Sequence, residues 1–342
     1  MEHNRRKRVY HTLNYPLQTN GGKTLLTGIR GVNASPDKVY ITGFYKYPND
    51  TKVDTFVYKG RLTSQDLKDR DLWYVLSYPS SIGRTVMSTN LYGPDNGENG
   101  KIVVVGNYET KEAGMSTIGC LYEGYLSGNG KWTTLIPNLS SDPVLNTIAH
   151  STHGGLVVGN YDTQLDQGKA FIYDISKKKY YDIIKPGAKS ITAYGIWYNG
   201  ENSYTICGGY SDLDVSSGVD SGYLVDWNNL THQFSNWKSY SYNNQPKNTV
   251  ITHFDGITSD GHGGYNLTGD WIGVEPGSNQ LGFFANVKRD KYGKFKKATW
   301  SEVSFPGKTT LTSGNSVYKD VVIGVYTLPL DDSIYGYISY FI

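Results

Sequence analysis

Among the 342 residues of this chain, His253 and Asp255 are the pair best spaced to do chemistry together. Residues at i and i+2 of an extended segment share a face, so this imidazole and carboxylate could act as a general base and the group that orients it. A second set is cationic. Lys23, Arg84, Lys189, Lys247 and Lys308 each stand at or just before a Thr/Ser-rich extended segment, and Asp142 takes the corresponding place in one further segment. Five cations converging on one rim would raise the local potential and favour an anionic ligand such as a uronate, sulfate or phosphate. Spread around the surface, the same residues are ordinary solvated loop positions.

Other candidates read as structural. His150 and His153 straddle a turn, and His262 sits in Asp260-Gly-His-Gly-Gly264. Three imidazoles without convergent spacing form no metal motif. The segment from Asp212 to Asp220 has the oxygen-rich look of a calcium loop, but Ser217 replaces the turn glycine and Tyr223 the bidentate glutamate, so it reads as a solvated acidic loop. Cys120 and Cys207 lie in apolar runs and read as buried reduced thiols. The sequence contains no Gly-x-Ser-x-Gly elbow, phosphate loop or Cys-x-x-Cys pair. Neither a cofactor nor a metal is expected.

The elements that must position these residues repeat. An apolar run followed by Gly, any residue and an aromatic occurs six times: Val39–Tyr45, Ile102–Tyr108, Leu156–Tyr161, Thr205–Tyr210, Asn266–Trp271 and Val321–Tyr326. The glycines recur at intervals of about 50 to 60 residues, the length of a four-stranded propeller blade. In the fifth copy Asp270 and Trp271 replace an uncharged residue and a Tyr, a departure that marks a candidate site. Upstream of several copies lies a Thr/Ser-rich segment ending in Gly plus an aliphatic residue. Downstream come a second apolar run and an alternating segment that usually ends in Pro, such as Trp73 to Pro79. No stretch keeps the i, i+3, i+4, i+7 spacing of a long amphipathic helix.

This pattern predicts a single all-β domain, a six-bladed β-propeller with blades near 17–79, 80–137, 138–186, 187–246, 247–306 and 307–342. The last unit stops after its third strand, while Tyr10 to Pro16 matches the fourth-strand pattern. Residues 1–16 are therefore expected to complete the last blade and remove an open sheet edge.

Ala170 to Asp174, Pro186-Gly-Ala188, Ala193 to Ile196 and Ile206 to Tyr210 resemble the HAF-repeat group of bacterial, often extracellular, propeller-like proteins. The resemblance implies fold and possible export, and it transfers no catalytic residue. The compartment stays open at this point: cytoplasmic if the sequence is full-length, extracellular if a leader has been removed.

Composition narrows the function classes. With 33 Lys+Arg against 31 Asp+Glu, a formal charge of +2 and 19 % charged residues, the chain does not read as a nucleic-acid binder, and no apolar run is long enough for a membrane helix. The 30 Tyr and 7 Trp read mainly as packing between blades, while Tyr47, Tyr240 and Tyr242 in loops could stack on sugar rings. The leading expectation is a non-catalytic propeller that binds a glycan or other anionic small molecule. In that reading Lys23, Arg84, Lys189, Lys247, Lys308, Asp270 and Trp271 hold the ligand. A lyase or hydrolase acting on an anionic saccharide, with His253 as base and Asp255 as its orienter, is the alternative. A protein-interaction scaffold is the third.

Overall fold

The computed structural model describes residues 7–50, 53–81, 84–111, 117–213 and 219–342. It is all-β: among the described residues, helix is confined to Ser64–Lys68, capped by the Thr63 hydroxyl, and to three-residue 3-10 turns. Among the described residues no helix is long and apolar enough to cross a membrane.

Three units are plain four-stranded antiparallel meanders. The first runs Lys23–Val32, Ser35–Lys46, Val53–Gly60 and Trp73–Val75; the second Val86–Asn96, Ile102–Thr110, Ile118–Gly124 and Gly130–Leu135; the third Val144–His153, Leu156–Thr163, Lys169–Asp174 and Lys179–Ile183. The fourth unit divides its first strand into Ala188–Ile191 and Gly195–Gly200, which both pair with Ser203–Asp212, followed by Asp220–Asn228 and Gln233–Tyr240. The fifth comprises Thr249–Ser259, Tyr265–Gly273, Leu281–Val287 and Thr299–Val303. One parallel pair, Asp220 with Ile251, links it to the fourth in a nine-stranded sheet. The sixth unit has a short divided first strand, Leu311–Thr312 and Ser316–Tyr318, then Val321–Thr327 and Tyr335–Phe341. The N-terminal strand Arg8–Thr12 supplies its outer edge, in register from Arg8 opposite Phe341 to Thr12 opposite Tyr337. Just beyond that strand, Leu13 and Tyr15 are buried.

The repeated second-strand glycine has a single steric cause. A Cβ at Gly43, Gly106, Gly159, Gly208, Gly269 or Gly324 would overlap a carbonyl of the adjacent first strand, at Leu25, Asn90, Ile148, Thr192, His253 and Ser313 respectively. Only a residue without a side chain permits that approach.

Each sheet is apolar on both faces and shares a buried cluster with each neighbour. Val57 of the first sheet meets Leu91 and Val104 of the second. Leu121 meets Ala149 and Phe171 of the third, and Ile172 meets Ile196 and Ile206 of the fourth. Leu224 meets Phe254 and Phe283 of the fifth, and Val303 meets Val317 and Val322 of the sixth. Ile323 and Ile338 of the sixth then pack with Leu26 and Ile41 of the first. Contacts between first strands follow the same order and likewise return from the sixth unit to the first.

Candidate functional site

An irregularity falls at the same place in every first strand. The register shifts between Leu26 and Gly28, Leu91 and Pro94, Ala149 and Ser151, and Phe254 and Gly256. In the fourth and sixth units the first strand is interrupted there, between Ile191 and Gly195 and between Thr312 and Ser316. Bulges re-aim side chains. The residues so placed, Thr27, Tyr92, His150, Tyr194, Asp255 and Asn315, one from each unit, all line a single cavity of about 410 Å³. Leu25, Phe44, Ile251, His253, Asp270, Ile272 and Gln280 complete its wall. The glycine that often follows the bulged residue is needed because the next sheet's backbone comes close. A Cβ at Gly28 would meet the Tyr92 carbonyl, and one at Gly256 would meet Cα of Ser316.

Rings form a continuous arc along the wall. Phe44 and Tyr92 lie 6.5 Å apart, Tyr92 and His150 5.2 Å, His150 and Tyr194 4.7 Å, and Tyr194 and His253 6.1 Å between centroids. His150 is held neutral: burial lowers its pKa to about 3, and its Nε2 is placed to accept from the Asn160 amide at 3.1 Å.

The same wall carries two carboxyl groups, Asp270 paired in register with His253 and Asp255 two residues along from it. Asp270 accepts the Gly314 N–H at 2.8 Å on Oδ1 and the Gln280 amide on Oδ2. Asp255 has neither a hydrogen bond nor an ion pair for its carboxyl group among the described residues, and it faces the cavity. Burial raises both pKa values, since a low-dielectric wall disfavours the charged form. Asp270 rises to about 6 despite its hydrogen bonds, and Asp255 is pushed well up by burial and then by the Asp270 charge. The Tyr194 hydroxyl rises to about 12, through burial first and Asp255 second.

The structure brings His253, Asp255 and Asp270 to one cavity. Among the described residues no hydrogen bond joins His253 to Asp255; the carboxylate nearest its Nε2 is Asp220, at 3.7 Å. Trp271 points to the other face of its strand, stacking on Tyr242 at 4.0 Å. None of the five cations lines the cavity. Lys23 borders a separate cleft with Asp50, Asp331 and Asp332. Arg84 is exposed and donates to the Tyr108 hydroxyl at 2.9 Å, and Lys189, Lys247 and Lys308 are exposed. Tyr240 is buried and donates to the Lys296 carbonyl, and Tyr47 donates to Asp54. His262 lies in an exposed turn, where its N–H and that of Gly264 bond Asp260. Residues 214–218 of the acidic loop lie outside the described residues. Cys120 and Cys207 are free and buried, and burial pushes both thiols up. The sequence reading missed Thr27, Tyr92, Tyr194 and Asn315 and placed His150 in a turn. A signal existed: several of these residues directly precede the glycine that ends the first-strand motif.

On the far side of the bulged residues the interior is filled. Thr27, His150, Tyr194 and Asp255 also border a void of about 20 Å³, together with Arg30. Buried Arg30 donates to the carbonyls of Pro94 and Thr152, both at 3.4 Å, and lies over the Trp197 ring at 5.1 Å. Burial lowers its pKa while the nearby Asp95 raises it. His153 is driven down to about 2, by burial first and by the Arg30 charge second, and its Nδ1 accepts from the Tyr198 N–H at 2.9 Å.

No family model matches the chain, and no curated protein matches it. Solved structures with a similar course include the parainfluenza virus 5 hemagglutinin-neuraminidase ectodomain, at 10 % identity over 97 % of this chain and 83 % of that one, TM-score 0.48. The Penicillium chrysogenum α-L-arabinanase complexed with arabinobiose shares 9 % identity over 97 % and 98 %, TM-score 0.42. YCF48 from Cyanidioschyzon merolae shares 9 % identity over 97 % and 98 %, TM-score 0.38. All three scores are below 0.5, so the architecture rests on the strand pairing and the site on the cavity's own residues.

Proposed function

We propose that this protein is a six-bladed β-propeller, closed by Arg8–Thr12 on Tyr335–Phe341, that binds a saccharide at its centre. The cyclic order of first strands and the cluster between the sixth and first sheets support the closed circle. Deleting residues 1–16 would expose the last strand's edge and remove two buried side chains. The expected result is loss of the cooperative thermal transition; a deletion variant that melts like the intact chain would contradict closure.

One observation carries the function: at the same place in six first strands, a bulge in four and an interruption in two deliver aromatic faces, a carboxyl group, a hydroxyl and an amide to one cavity. A sugar has an apolar C–H face that stacks on rings and a rim of hydroxyls that carboxyl and amide groups can bond. Calorimetry against neutral, acidic and amino saccharides tests this reading. Saturable heat is expected from at least one class, weakened ten-fold or more by Tyr194→Ala. Silence across all three classes would overturn it.

The acid pair favours hydrolysis as a second reading. Asp270, bonded by Gly314 and Gln280, is the partner held closer to its ionised form, while burial and the Asp270 charge push the bare Asp255 further up. Carboxyl groups with separated proton affinities can divide the acid and base roles of glycoside cleavage. Release of reducing ends from an oligosaccharide, abolished in Asp255→Asn, would favour this reading over binding alone.

A further inference from the structure

We propose that the saccharide held in this cavity is an amino sugar, its protonated amine seated between Asp255, Asp270 and the neighbouring ring faces. This inference rests on the saccharide reading and names the class of sugar. The wall carries two carboxyl groups and no Lys or Arg. Asp270 has two protein donors, whereas Asp255 faces the cavity with none among the described residues, and a buried carboxylate without a partner is costly unless something else supplies the charge. The nearest buried guanidinium, Arg30, lies beyond the bulged residues and is already engaged by two carbonyls and the Trp197 ring. Aromatic faces add to the preference, because the negative face of a ring attracts an ammonium group. An acidic sugar would instead bring a third carboxylate into the same space.

The upward displacement of both carboxyl groups agrees with this account, since an entering cation stabilises their ionised forms. Asp255, Asp270, His253 with Asp220 beside it, neutral His150, Tyr92 and Tyr194 are the titratable groups at the cavity. Acidification favours the protonated forms of the carboxyl groups, which attract an ammonium group less. Affinity for an amine should therefore rise between pH 5 and pH 7 and be accompanied by proton release.

Glucose, glucosamine, N-acetylglucosamine and glucuronate are the probes for calorimetry on the full chain at both pH values. Glucosamine should bind at least ten-fold more tightly than glucose at pH 7, with a smaller ratio at pH 5. Asp255→Asn, verified as folded by its thermal melt, should reduce the ratio toward one, and Asp270→Asn should reduce it in part. Equal binding of glucose and glucosamine, or preference for the acetylated or acidic sugar, would overturn the amine while leaving the saccharide reading in place. If none of the four binds and a wider panel is also silent, both fall.

Discussion

The two sides of the bulges in the first strands handle buried charge in opposite ways. On one side Arg30 is surrounded by Asp95, two backbone carbonyls and Trp197, and the void beside it is about 20 Å³. On the other, Asp255 lines a cavity of about 410 Å³ with no hydrogen-bond or ion-pair partner among the described residues. The difference teaches which buried charge belongs to the fold. A compensated charge locks neighbouring sheets together, whereas an uncompensated one sits at a cost that a ligand can relieve.

Removing each charge in turn should give effects of opposite sign. Arg30→Ala leaves the buried Pro94 and Thr152 carbonyls without their donor and removes the charge near Asp95, which should destabilise the protein by about 2–4 kcal/mol in a denaturant melt. If Arg30→Ala melts within ~0.5 kcal/mol of the parent, the filled side is not held by charge compensation.

Asp255→Asn should instead stabilise the fold at neutral pH, by on the order of 1–3 kcal/mol. The sign follows from linkage: a carboxyl raised in the folded state holds more protons there than in the unfolded chain, so stability falls as pH rises from its unfolded value toward the raised one. Asp260 and Asp174, both lowered in the folded state, slope the other way. The informative quantity is thus the parent-minus-variant difference across pH 4 to 8. A flat difference would place Asp255 in a solvated setting and remove the contrast between the two sides.

Arg84→Ala and Lys308→Ala should be nearly silent, within ~0.5 kcal/mol in stability and two-fold in saccharide affinity, because both residues are exposed and away from the cavity wall. A loss of binding in either would restore the cationic rim as part of the site.

Much of this architecture is legible in the sequence. The apolar run closed by Gly at positions 43, 106, 159, 208, 269 and 324 marks the second strand because a carbonyl crosses each of those residues. The match between Tyr10–Pro16 and the fourth strands anticipated the pairing of Arg8 with Phe341. His253, Asp255 and Asp270 all line the cavity; the i, i+2 spacing marks the first two, and the departure from the repeat marks Asp270. The five cations stand at strand starts, away from this wall, which is built from mid-strand bulges and interruptions. From Lys23 to Thr27 is four residues, about 13 Å along an extended chain. Tyr92, Tyr194 and His150 were hidden because a bulge is a property of register, and composition alone makes such rings look like packing.

A crystal structure grown with the glucosamine disaccharide tests the central claim most directly. The account predicts a sugar ring against Tyr92 or Tyr194 with its amine within hydrogen-bond distance of Asp255. A disaccharide found only in the cleft of Lys23 and Asp331, with the central cavity unchanged, would contradict it.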